Sequence, residues 1–475
     1  MPSLLSLYDP WMTGAVAFDV ALATRASPAA IAERAGRRLV SMLAGAQRRS
    51  SLVRRLLDGR APANVRLADI APTCKRDLMA TFEDWVGDPD IERASLRRFL
   101  DDPNRIGEPY LGRYVAWESS GSSGETAMFV QDAASLAVYD ALEALRRPGW
   151  GDASHWLDPW ELGGTTVFIG ATDGHFASNV SFERLRRLNP LLHDSLHAIS
   201  FLQPLEHLCR RLETHAPTVI ATYPTQAVLL AEERLAGRLK IAPREVWTGG
   251  ETLTAAMRRR IESAFACRVV NSYGSSEFLT LACDCGHGCL HLNSDWAILE
   301  PVDAQGGPVE PGTVGATTLL TNLANVVQPV VRYDIGDRVM LRPTPCPCGS
   351  PLPAIEVEGR CDDVLHVPGR EGRTVTLLPL ALGTILEEEA DLFDYQLVQR
   401  TPHRLELRSK LRTARIEPVL RRARTALEAF IERQGGHHVA VECHPDEPVI
   451  VGRSGKIARV VAQAHAAPHP TGSRT

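Results

Sequence analysis

The spacing of hydrophobic positions changes several times along this chain. Over residues 28–57, Ile31, Ala35, Leu39, Leu43 and Leu56 recur among arginines, which predicts an amphipathic helix or a broken pair. After Arg60 the prolines Pro62, Pro72, Pro89 and Pro103 punctuate the text and predict loops. From Ala133 two patterns alternate. Helical stretches at 133–146, 204–214, 226–236 and 252–266 interleave with short apolar runs at 165–169, 218–222, 245–248 and 268–271. Strands alternating with helices predict a parallel α/β sheet. Ligands on such sheets bind beyond the carboxyl ends of the strands. Two turns are thereby singled out, Gly249-Gly250-Glu251 and Tyr273-Gly274-Ser275-Ser276-Glu277.

From Asp295 the pattern shortens. Pieces at 296–299, 313–320, 326–333 and 338–341 are β-rich and separated by Gly and Pro, which predicts an antiparallel or barrel-like subdomain. After Gly359-Arg360 the order strand, helix, strand, strand, helix, strand, with helices at 377–389 and 411–434, predicts a small α+β unit. The expected architecture is α/β. A large N-terminal domain spans 1–359, with its β-rich part at about 283–358. A small, mobile C-terminal domain follows at 360–465, then a disordered tail at 466–475.

Composition narrows the class. The chain has 475 residues, 44% hydrophobic and 23% charged, enough to bury a sizeable core and unlike a disordered or collagen-like chain. A net charge of −5 speaks against a generally basic nucleic-acid surface. No apolar run approaches the ~18 residues of a membrane span. Asp9, Pro10 and Asp19 interrupt any signal-peptide layout, so a cytoplasmic location is expected, where thiols stay reduced. Five of the ten cysteines (Cys283, Cys285, Cys289, Cys346 and Cys348) then sit in two tight groups that favour a metal over disulfides.

Six segments carry chemistry. The loop Ser119-Ser120-Gly121-Ser122-Ser123-Gly124-Glu125-Thr126 offers backbone N–H groups and hydroxyls as an anion cradle before the helix at Ala133. It lacks the Gly-Lys-Ser/Thr ending of a Walker loop. Glu277, at a strand end, suits Mg²⁺. The run Arg332-Tyr333-Asp334-Ile335-Gly336-Asp337 presents Asp337, whose carboxylate can accept both hydroxyls of a ribose. Gly359-Arg360-Cys361-Asp362-Asp363 is a candidate hinge. In Ser454-Gly455-Lys456-Ile457-Ala458-Arg459, Lys456 can act as a mobile cation. The cluster Cys283, Cys285, His287, Cys289 and His291, followed by Cys346-Pro347-Cys348, fits tetrahedral Zn²⁺.

The five motifs other than the cysteine clusters, in this order, resemble the adenylate-forming superfamily of acyl-CoA synthetases, and within it the phenylacetate–CoA ligase branch. The resemblance implies a loop of Ser119, Ser120, Gly121, Ser122, Ser123, Gly124 and Thr126 around the β,γ-phosphates of ATP. It implies Gly249, Gly250 and Glu251 against the adenine, Tyr273 stacked on it in one turn with Gly274, Ser275 and Ser276, and Glu277 on Mg²⁺. Asp337 would hold the ribose, Arg360 would sit near ribose and phosphate, and Asp362 would be the hinge. Lys456 would bridge the substrate carboxylate and the α-phosphate. His175, Phe176 and Tyr223 would line the acyl pocket. Some members of the branch bind a structural zinc, which implies His291, Cys346 and Cys348 as ligands with Cys283 or Cys285 as the fourth, and Cys289 and His287 in reserve. The implied activity is ATP-dependent conversion of an aryl or arylacetic acid to acyl-AMP with release of pyrophosphate, then transfer to the CoA thiol. Other acceptors are a carrier-protein thiol or an amine, and a nucleotidyltransferase would stop at the adenylylated product. The implied partners are a small carboxylic acid and CoA or an acyl carrier protein, without nucleic acid or membrane; a homodimer is left open. One residue departs from the pattern: Glu125 stands where the family commonly carries Lys, and a carboxylate near triphosphate is electrostatically unfavourable.

Overall fold

The computed structural model describes residues 7–119, 126–147, 164–409, 416–444, 449 and 458–462. The chain divides into two compact units, Met1–Leu253 with Arg260–Val357, and Thr254–Arg259 with Glu358–Thr475.

The first unit opens with helices. Asp9 caps Pro10–Ala23, its carboxylate accepting from Trp11 N and Met12 N. Residues 28–57 form the broken pair, Pro28–Arg49 and Ser51–Leu57. Ser50 makes the break: it ends one helix, accepts from Val53 N, and donates to Asp84 O at 2.8 Å. The loop-rich expectation beyond Arg60 needs correction. Lys75–Ala80, Phe82–Trp85 and Arg93–Leu100 are helices, and they bury Phe82, Trp85, Leu96 and Phe99. Each is too short for a 3.6-residue period to declare itself.

β1 (Val115–Glu118) and β2 (Met128–Gln131) form an antiparallel ribbon with Glu118 opposite Met128. β3 (Thr166–Gly170), β4 (Leu196–Ser200), β5 (Val219–Thr222), β6 (Glu245–Gly249) and β7 (Arg268–Tyr273) are parallel, and β8 (Ala282–Asp284) and β9 (Leu290–Leu292) continue the sheet antiparallel. β4 escaped sequence reading because it is an edge strand with only Leu196 and Ile199 buried, so no alternation shows. β10 (Ala297–Val302), β11 (Thr317–Asn322) and β12 (Tyr333–Asp334) make a separate antiparallel sheet. β13 (Asp337–Leu341) and β14 (Ala354–Arg360) leave that β-rich part and join the large sheet, in the order β13-β14-β9-β8-β7-β6-β5-β3-β4. The expected single barrel-like subdomain is thus two sheets.

In the second unit β15 (Leu365–Pro368) pairs with β16 (Thr374–Leu377) as a hairpin. β17 (Gln396–Thr401), β18 (Arg404–Arg408), β19 (Ala440–His444) and β20 (Val460–Val461) form a sheet in the order β19-β18-β17-β20. Helices Pro379–Ala390 and Ile416–Arg433 pack on it through Leu382, Leu386, Leu420 and Leu427. Among the described residues no helix is long and apolar enough to cross a membrane.

Candidate nucleotide site and metal centre

Because β7, β6, β5 and β3 are neighbours and parallel, their carboxyl ends line one edge of the sheet. The turns after them therefore stand side by side: Tyr273–Glu277, Gly249–Glu251, Tyr223 and the segment reaching His175 and Phe176. The Tyr273 hydroxyl donates to Asp337 Oδ2 at 2.6 Å, so two residues 64 positions apart meet at the site. Glycine is required in this turn. A Cβ on Gly274 would overlap the Leu279 carbonyl, and Ser275 and Phe278 exchange backbone hydrogen bonds across it. A Cβ on Gly249 would lie 2.9 Å from Ser272 Oγ, so β6 and β7 also approach closely at their ends. Gly250 adopts φ +76°, a left-handed conformation that glycine enters without strain. Glu251 accepts from Thr225 Oγ1 at 2.7 Å and from Thr225 N at 3.2 Å, which fastens the turn to the start of helix Pro224–Leu235. Glu277 is buried, and its carbonyl accepts from Asn322 Nδ2 at 2.9 Å.

The Ser/Gly loop joins the two strands of the β1–β2 ribbon, and β2 separates it from the helix at Ala133, which Asp132 caps. Ser119 pins the near end: its N–H donates to Ala127 O at 2.8 Å and its Oγ accepts from Ala127 N at 2.9 Å. Thr126 stands at the far end, immediately before β2. Ser120, Gly121, Ser122, Ser123, Gly124 and Glu125 lie outside the described residues, as does Lys456. Downstream of Lys456, Arg459 is firmly anchored. It pairs with the buried Glu387 at 2.6 Å and lies over the Tyr395 ring at 4.1 Å, and its carbonyl accepts from Leu397 N. Arg360 ends β14, and Asp362 lies in the short turn Cys361–Asp363 that follows, just inside the second unit.

The acyl-pocket residues divide. Tyr223 is buried near Glu251, and burial pushes its phenol up to about 12. Phe176 is buried at the start of helix Ala177–Leu188. His175 has a packing role: it is 1% exposed, its Nε2 bonds Asp102 O at 2.9 Å, and its ring meets Phe99. Burial lowers its pKa, so the imidazole is neutral at pH 7. Arg332, in the motif ending at Asp337, is likewise structural, donating to Ile70 O at 2.6 Å and to Glu300 at 3.1 Å.

The two cysteine clusters converge. Ligand atoms of Cys285, His291, Cys346 and Cys348 all lie within 4.8 Å of one another. Cys285 Sγ is 3.7 Å from Cys346 Sγ, and Cys348 Sγ is 3.3 Å from His291 Nε2. Zn–S bonds of about 2.3 Å in a tetrahedron give edges of roughly 3.8 Å, so four such donors fit zinc. His291 Nδ1 bonds Leu352 O at 2.9 Å, which turns Nε2 toward the thiols in the way of outer-shell support for a ligand histidine. Burial opposes ionisation of Cys346, yet hydrogen bonds from the Cys348 backbone, His291 and neighbouring thiols hold its thiol below the ordinary value. Cys283 stands outside the group. It is buried near Arg146 and Arg147, and burial pushes its thiol up. Cys289 accepts from Arg342 at 2.8 Å and is also outside the four. His287 is exposed in the loop between β8 and β9.

Residues 196–321 match the AMP-binding enzyme family. The 2-hydroxyisobutyryl-CoA ligase structure in its postadenylation state, bound to an acyl-AMP, aligns over 90% of this chain and 88% of its own, with TM-score 0.64 and 18% identity. The chain has the fold of the adenylate-forming ligases. An anthranilate CoA ligase bound to anthranoyl-AMP aligns over 72% of this chain and 65% of its own, with TM-score 0.50 and 14% identity. By sequence, Protein CapK of Staphylococcus aureus is 29% identical over 217 residues, so the match spans about half the length of that curated relative, 45%, and 45% of this chain. The AMP-binding segment runs from β4 through β11 and contains the Gly249–Glu251 and Tyr273–Glu277 turns.

Three buried, hydrogen-bonded amides were not read from the sequence: Asn322, Asn325 and Gln328. Their signal was present, as amides at every third position within an otherwise apolar run.

Proposed function

We propose that this protein activates a carboxylic acid with ATP, forming acyl-AMP and pyrophosphate, and then transfers the acyl group to the thiol of CoA. The observation that carries the reading is the meeting of Tyr273 and Asp337 at the carboxyl edge of the sheet within and beside an AMP-binding segment. Tyr273 offers a ring to the adenine, and Asp337 two oxygens to the ribose. Gly249, Gly250 and Glu251 flank the base, and Ser119 and Thr126 hold the ends of the loop that donates to the β,γ-phosphates. Glu277 fits Mg²⁺, which takes one or two carboxylates beside substrate phosphates and would neutralise developing charge. Lys456 would add a cation at the α-phosphate, with Arg360 nearby and Asp362 as the pivot between half-reactions. Tyr223 and Phe176 suit an aryl or arylacetic acid, an apolar wall with one hydroxyl. Cys285, His291, Cys346 and Cys348 would hold one zinc in a closed, structural site.

Acid-dependent ATP–pyrophosphate exchange tests the reading, with aryl, arylacetic and short hydroxy acids as substrates. The expected result is exchange with an aryl acid and AMP release stimulated by CoA. Stimulation only by a carrier-protein thiol or an amine would reassign the acceptor. AMP transfer that no thiol accelerates would make the protein a nucleotidyltransferase, and absence of exchange with every acid would overturn the proposal.

A further inference from the structure

Among the described residues the β1–β2 ribbon that flanks the phosphate loop has two strands, and none pairs with the outer edge of β2. Its buried backbone groups need partners all the same. Side-chain amides supply them. Gln328 Oε1 accepts from Val130 N at 2.7 Å, and Gln328 Nε2 donates to Met128 O at 2.9 Å. Asn325 Nδ2 donates to Val130 O at 2.8 Å and to Gln131 Oε1 at 2.9 Å, while its Oδ1 accepts from Val327 N and Gln328 N. Asn322 Nδ2 donates to the Tyr139 hydroxyl and to Glu277 O, both at 2.9 Å, and its Oδ1 accepts from Ala324 N. All three amides are at most 1% exposed. The companion strand is tied to the same turn, since Trp117 Nε1 donates to Ser276 O at 2.8 Å.

Burying three primary amides is costly unless each is bonded, and an apolar side chain could fill the same space but would leave the buried N–H and C=O groups of the strand edge unpaired. What apolar packing cannot supply is register. A bonded amide fixes a strand's position along its length, because hydrogen-bond distance and angle are narrowly restricted. We propose that Asn322, Asn325 and Gln328 are a clamp that registers the strand leaving the phosphate loop against the Glu277 turn. They are positioning residues for MgATP in the adenylation half-reaction. The proposal rests on the functional reading above, in which the loop and Glu277 address the same triphosphate. Once pyrophosphate has left, this register matters less, so thioester formation should be spared.

The test compares two half-reactions on one preparation: acid-dependent pyrophosphate exchange over a range of MgATP, and thioester formation from supplied acyl adenylate and CoA. Gln328→Met should lower exchange about 10–100-fold with a raised KM for MgATP, as small misplacements do, and leave thioester formation within about twofold. Asn325→Leu should behave alike. In Gln328→Glu the protonated carboxyl can replace both amide bonds and a buried carboxyl titrates high, so its exchange should recover relative to wild type between about pH 8 and about pH 6. Equal loss of both half-reactions in Gln328→Met and Asn325→Leu, without recovery in Gln328→Glu, would reduce the clamp to fold support and overturn the proposal. Unchanged exchange and KM in the variants would overturn it as well. Wild-type protein lacking exchange would instead overturn the functional reading, and the clamp's role with it.

Discussion

Single side chains carry the sharpest chemistry here. Lys456 is expected to matter only while charge develops on the α-phosphate. Lys456→Ala should therefore lower pyrophosphate exchange by roughly 10²–10³-fold and spare thioester formation from supplied acyl adenylate. At the cysteine centre, the double change Cys346→Ser with Cys348→Ser should remove one zinc per chain and lower Tm by several degrees, because binding at such a site is coupled to folding. Metal analysis and a melting curve on the same sample check both. Away from the site, Asp295 is fully buried between Arg146, at 2.6 and 2.8 Å, and Arg38. Burial alone would raise its pKa, but these two arginines hold its carboxyl below the usual range. Its contribution is thus present above the unfolded carboxylate pKa of about 3.9 and lost as pH falls below it. Asp295→Ala should cost about 3–5 kcal/mol at neutral pH and flatten the acid limb, as urea titrations at several pH values would show. The grouping of the cysteines was legible from type and spacing, whereas the ion pairs of Asp295 were not. The choice of Cys285 over Cys283 was not, because it depends on how β8 and β9 meet a segment some sixty residues away.

At the scale of elements, the turns after parallel strands bring the candidate site residues side by side. The Tyr273–Glu277 turn folds so tightly that residue 274 has no room for a side chain. Gly274→Ala should force the Leu279 backbone to move, destabilise the protein by about 3 kcal/mol or more, and reduce exchange through displacement of both Tyr273 and Glu277. Chemical denaturation beside the exchange assay separates the two effects. Helix Ala133–Arg146 was readable to its ends because a capping Asp132 and a sustained period mark it. The short helices between 75 and 100 and the edge strand β4 were not, since neither offers enough buried positions for a pattern. The Ser/Gly loop was found by composition. Its setting in a ribbon came only from the pairing of β1 with β2.

For the whole molecule, the main segment of the second unit begins at Glu358, close to the proposed pivot. A hinge residue absorbs a large backbone rotation, and proline fixes φ near −65°. Asp362→Pro should therefore leave pyrophosphate exchange near normal and cripple thioester formation, both read on one preparation. Equal loss would indicate misfolding, and equal retention would move the hinge elsewhere.

The alternation of helical and strand periods, read alone, determined that this chain builds a run of parallel α/β strands and that its candidate turns follow particular strands. Those are local properties, set by which face of an element must be apolar. Tertiary structure decided the rest. It brought Tyr273 to Asp337, gathered three cysteines and a histidine from two clusters, packed His175 against Phe99, and placed three buried amides along one edge of β2 and its neighbouring turn. Each of these depends on partners far away in sequence. Whether a polar side chain is a solvated loop residue or a fully bonded buried one is set by what the fold packs against it.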